Sequence, residues 1–83
     1  MMINKKKLIE YALLNELLFN KADEYLSLCS KKQPDLMYTD ADCIDFDTKH
    51  EQMYIQYHND DTTDEGTIKV SFDEFIKFCN END

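Results

Sequence analysis

The apolar residues of this chain first change period across its only proline, Pro34. Before it, Leu8, Tyr11, Ala12, Leu14, Leu18, Ala22, Tyr25, Leu28 and Cys29 recur at steps of three and four, the spacing that lines one face of a helix. After it, Ile44 and Phe46, then Met53, Ile55 and Tyr57, then Ile68, Val70 and Phe72 alternate with polar residues, as strands with one buried face do. A helical period followed by a strand period, each confined to its own stretch, predicts an α+β domain.

The helical stretch predicts one long helix over 4–32, with Asn4 as N-cap and Lys31 and Lys32 complementing the negative end of its dipole. Lys5, Lys6 and Lys7 crowd the positive end, a conflict at this level. The strands are expected over 42–47, 52–58 and 67–71 as an antiparallel meander, followed by a short helix over 72–80 on the same sheet face as the first. In "SFDEF", Ser71 is placed to cap that last helix with Glu74 at N3, and Val70 can staple onto Phe75. The expected core is Ile44, Phe46, Met53, Ile55, Tyr57, Ile68, Val70, Phe72, Phe75 and Ile76 against the first helix. The other sheet face is left open and polar, carrying Cys43, Asp45, Asp47, Gln52, Tyr54, Gln56, His58, Thr67 and Lys69.

A rod of about 28 residues is about 42 Å long, whereas strands of this length span roughly 17 to 24 Å. Half of the helix overhangs, so Leu14, Leu18 and Tyr25 need a second surface: the same helix of another copy, or a docked subunit. The other reading is a helix broken at Asn20 and folded back.

Eighty-three residues make a single domain, 1–83, that buries only roughly 60 to 65% of its unfolded surface. No run of apolar residues is long enough to span a membrane. The basic start, "MMINKKKLIEYALLNELLF", lacks an uninterrupted apolar stretch and a small-residue cleavage site, so a cytoplasmic protein is expected. Cys29, Cys43 and Cys79 have neither the parity of a disulfide framework nor, with His50 and His58, the spacing of a zinc site; they read as buried free thiols.

Charge divides unevenly. Residues 1–34 carry six Lys against four acids, and residues 35–83 three Lys against fourteen, so the second stretch accounts for more than the whole net charge of −9. Such a field repels nucleic acid and anionic membrane and attracts basic partners. The densest acidic segment, "HNDDTTDEGT" (58–67), is not a calcium loop: with Gly66 at the sixth position Phe72 falls at the twelfth, and the flanks are strands. Asp45 and Asp47 share a strand face, but no phosphate loop, nucleophile elbow or His/acid cluster accompanies them, so no enzyme activity, cofactor or metal is expected. His50 and His58 read as strand-end residues.

The remaining candidate is the acidic surface itself. Asp45, Asp47 and Tyr54 on the open face, with Asp60, Asp61, Asp64 and Glu65 in the loop, are the expected partner-binding residues. Asp40, Asp42 and Glu51 extend the field, which can occupy a Lys/Arg groove built for nucleic acid. In size, in its Lys/Asn/Ile/Asp-rich composition and in segments such as "CIDFD" and "VSFDEF", the chain resembles the small acidic accessory proteins of bacteriophages and mobile elements, anti-CRISPR and anti-restriction inhibitors included. That resemblance implies binding and inhibition of a host or defence protein. Two functions remain: a noncatalytic module that blocks a basic, nucleic-acid-handling protein, or an assembly module acting through Leu14, Leu18 and Tyr25 as a homodimer or docked subunit.

Overall fold

The computed structural model describes residues 3–11 and 16–81. Two N-terminal helices, α1 (Lys5–Tyr11) and α2 (Glu16–Cys29), precede a 3-10 turn at Pro34–Leu36. Strands β1 (Thr39–Asp47), β2 (Gln52–Asn59) and β3 (Glu65–Ser71) follow, and α3 (Phe72–Glu81) closes the chain. The strands form an antiparallel sheet in the order β1-β2-β3, the expected meander. Cross-strand rows Ile44–Ile55–Ile68 and Phe46–Met53–Val70 put the apolar residues of all three strands on one face. On the central strand Met53 and Ile55 are fully buried, while their edge-strand neighbours Ile44, Phe46 and Ile68 are half-buried at the margin of the core.

The expected single helix is two. Ile3 exchanges two hydrogen bonds with the Asn80 amide (2.8 and 3.2 Å), and Tyr25 meets Phe78 ring edge to ring face at 5.2 Å. Along one straight helix Ile3 and Tyr25 would lie ~33 Å apart, yet both touch the same end of α3. A rod over 4–32 would also exceed the molecule's longest dimension of 36 Å. Residues 12–15, with Ala12 and Leu14, lie outside the described residues, and α2 runs unbroken through Asn20, the other expected break. The helix closes at Cys29, short of Lys31 and Lys32, through amides of Ser30, Lys32 and Gln33 returning to the carbonyls of Leu26 and Cys29.

The starts of α1 and α3 show local chemistry legible in the sequence. Asn4 caps it, Oδ1 accepting the Lys7 amide at 2.9 Å. The lysine conflict is relieved for Lys5, whose ammonium lies 2.7 Å from Glu51 and 3.7 Å from Asp73; these carboxylates raise its pKa above the ordinary lysine value. Ser71 caps α3 as expected, accepting the Glu74 amide at 3.1 Å.

Because α1 and α2 both reach α3, its buried arc is broader than the expected stripe. Phe78 is buried beside Phe72, Phe75 and Cys79, while Ile76 is only half-buried. Ile3, Leu8, Leu18, Ala22, Leu26 and Leu36 complete the core. Cys79 is buried, Cys29 half-buried and Cys43 exposed, so the expectation of three buried thiols fails at Cys43, where strand alternation outweighs residue-type preference. Burial pushes the Cys29 and Cys79 thiols up, which keeps them protonated and unreactive.

β1 begins at Thr39, three residues before the expected start, because a bulge at Asp42 shifts the alternation between Ala41 and Cys43. Beside the bulge, Asp23 of α2 accepts the Ala41 amide at 2.8 Å and so occupies a donor on the sheet edge. No described helix is long and apolar enough to cross a membrane.

The Asn80 clasp ties the chain start to its last helix. Asn80→Ala should lower unfolding free energy by roughly 1 to 2 kcal/mol in urea titration; an unchanged midpoint would show that the two bonds contribute nothing net.

Candidate partner-binding surface

The sheet face away from the helices carries four cross-strand rows: Asp40–His58–Glu65, Cys43–Gln56–Thr67, Asp45–Tyr54–Lys69 and Asp47–Gln52–Ser71. Asp45 and Tyr54 thus sit side by side as expected, and Asp45 Oδ2 accepts the Gln56 amide at 3.0 Å. Asp47, one row further along the same face, is engaged within the chain. Its oxygens take the His50 amide (3.1 Å) and Nδ1 (2.8 Å), closing the β1–β2 turn, and His50 holds its carboxyl below the ordinary range. It lies roughly 23 Å along β1 from the end that meets the acidic loop.

At that other end, four side chains form a cluster. His58 Nδ1 lies 2.6 Å from Asp42 and Nε2 3.3 Å from Asp60. The hydrogen bond to Asp42 is the main cause of a raised His58 pKa. The Asp40 carboxyl, hydrogen-bonded to Asp60, pushes the Asp60 pKa up in turn. Asp40, His58 and Asp60 bring potential ligand atoms within 4.8 Å of one another. The raised pKa favours the imidazolium, which faces a carboxylate on each side, over the neutral ring that a cation would need.

The loop between β2 and β3 is built around Asn59. Its Oδ1 accepts the amides of Asp61 (2.8 Å) and Thr62 (2.9 Å), and its carbonyl accepts the Thr63 amide at 2.9 Å. Asn59 Nδ2 donates to the Met37 carbonyl at 3.1 Å and the Asp60 amide to that of Tyr38 at 2.8 Å, which ties the hairpin tip to the segment entering β1. The left-handed residue of this turn is Thr63, at φ 64°, and not Gly66.

Gly66 is instead a strand residue opposite Tyr57. A Cβ built on it would collide with the Tyr57 hydroxyl, so the phenol ring crosses the edge strand where no side chain stands. Tyr57, expected in the core, is therefore half-buried and lines a cavity of about 600 Å³ between the hairpin tip and the 3-10 turn. Asp35, Asn59, Thr62, Asp64 and Glu65 also line it. Composition points to Asp64 and Glu65; Asp35 and Tyr57 join them only through the register and the folding of the 3-10 turn.

Of the expected apolar docking residues, Leu18 is withdrawn into the core, while half-buried Tyr25 still lines a groove between α2 and α3. Leu18 is 5% exposed, and the Tyr25 ring packs edge-on against Phe75 and Phe78. Leu14 lies outside the described residues. Comparison with protein families, curated proteins and solved structures finds no match to this chain.

Two measurements check this geometry. Gly66→Ala should cost about 1 to 3 kcal/mol of stability through its clash with Tyr57, and in a Tyr57→Ala background the same change should be neutral or stabilising, since glycine is unfavourable in a strand; equal costs in both backgrounds would refute the ring crossing. His58 should titrate above 6.5 by NMR, and Asp42→Asn should bring it down. With the folded pKa raised, this stabilisation is complete below the unfolded value and is lost as pH rises through the folded one.

Proposed function

We propose that this chain is a noncatalytic acidic binding module that blocks a basic, nucleic-acid-handling protein. What supports this reading most is that Asp45, Asp61, Asp64 and Glu65 make no ion pair among the described residues. The internal pairs engage other acids, so the field of these carboxylates is not cancelled within the chain. Asp35, also without an ion pair, adds to it across the tip cavity, where carboxylates and the Tyr57 ring together offer the chemistry that takes a guanidinium: ion pairing and stacking on an aromatic face.

The bonds from Asn59 and Asp60 to the strand entry hold the tip in one shape before any partner arrives, which limits the ordering cost of binding. The resemblance to small acidic phage accessory proteins implies the same class of activity, in the cytoplasm of a bacterial host. Assembly through Leu14, Leu18 and Tyr25 as one face has less support, because Leu18 is buried in the chain's own core.

Affinity capture from a bacterial lysate, washed at low and high salt, tests this reading. The retained protein should be basic and nucleic-acid-binding and should be released by salt. Combining Asp45→Asn, Asp61→Asn, Asp64→Asn and Glu65→Gln should slow its association by on the order of tenfold or more. Capture indifferent to both salt and these substitutions would overturn the proposal.

A further inference from the structure

We infer that the groove between the end of α2 and the outer side of α3 is a self-association surface whose occupant is a second copy of this chain. The groove, of about 520 Å³, has an apolar floor of Tyr25, Leu28, Cys29 and Phe78. Leu28 is 44% exposed there, one of few large apolar side chains this open among the described residues.

The rim has two signs. Lys31 and Lys32 form the edge where the chain leaves α2, and Glu74 and Glu81, with Lys77 between them, form the edge on α3. None of these five makes an ion pair among the described residues.

A basic edge facing an edge with two glutamates across an apolar floor lets a two-fold interface complement itself. The same patch must complement itself, with each copy's α2 edge meeting its partner's α3 edge. A wholly foreign acidic or basic partner would match only one edge and be repelled by the other. Mutual repulsion of two chains of net charge −9 opposes any pairing, but it is reduced here, where lysines outnumber acids on the rim. The association is therefore weak and concentration-dependent. It also leaves the open sheet face uncovered, so it is compatible with the partner-binding surface proposed above.

Sedimentation velocity over a concentration series tests this on the whole chain. Wild type should move from 9.9 kDa toward twice that mass as concentration rises. Lys31→Glu with Lys32→Glu should stay monomeric, as should Glu74→Lys with Glu81→Lys, each weakening association by on the order of tenfold or more. An equimolar mixture of these two variants should form a heterodimer, and the chain carrying all four exchanges should pair with itself again. This rescue separates lost complementarity from lost folding. Leu28→Asp, on an exposed position, should abolish pairing without changing the circular dichroism. Wild type that holds 9.9 kDa at its highest soluble concentration, charge variants that associate like wild type, or a mixture that does not pair would each overturn the inference.

Discussion

A sheet covered by helices on one face only is the constraint from which the rest of this structure follows. Met53 and Ile55, on the central strand, are fully buried by packing on one side, and the alternation of a strand sends Gln52, Tyr54, Gln56 and His58 to the other. The described chain has no further element to cover that second face, so it must be polar. Acidic residues concentrate there and at the hairpin tip beside it. The same one-sidedness forces α1, α2 and α3 into a single layer, where they contact each other as well as the sheet. Tyr25, edge-on to Phe75 at 5.8 Å and to Phe78 at 5.2 Å, joins α2 to α3 within that layer; burial pushes its phenol pKa up, so it remains neutral and hydrogen-bond-capable.

Where local chemistry determines the structure, the sequence could be read directly. The three strands and α3 fall close to their expected limits because alternation and the Ser71 cap act over a few residues. The failures are tertiary. A helical period records which residues face the core but not whether two helical segments share an axis, so it leaves a rod and a fold-back both open and misplaces the break at Asn20, through which α2 runs. The bulge at Asp42 shifts the alternation phase inside β1 and hid its first residues. Phe78 is buried because helices reach α3 from more than one side, a fact about neighbours rather than spacing.

The candidate site divides in the same way. Its net sign follows from composition, but which carboxylates face solvent without a counter-charge depends on cross-strand register. Asp47 and Asp45 are alike in sequence context and face. Only the turn shows that Asp47 closes on His50 while Asp45 meets an uncharged glutamine. Likewise Gly66 reads as a turn residue until its pairing with Tyr57 explains it as the space over which a ring crosses.

Lysine placement completes the electrostatic pattern. Lys5 neutralises acids where α1, the first hairpin turn and α3 meet, and Lys21 pairs with Glu24 along α2. Lys31, Lys32 and Lys77 gather at the groove between α2 and α3. The hairpin tip has no lysine between Thr62 and Gly66, so Asp64 and Glu65 lack a local cation. The molecule therefore carries charge of opposite sense at two places instead of a uniform acidic coat. A uniform coat would hold copies apart and attract any cation alike. An uneven one orients an approaching basic surface toward the tip and leaves the mixed-sign groove as a region where the repulsion between two copies is reduced.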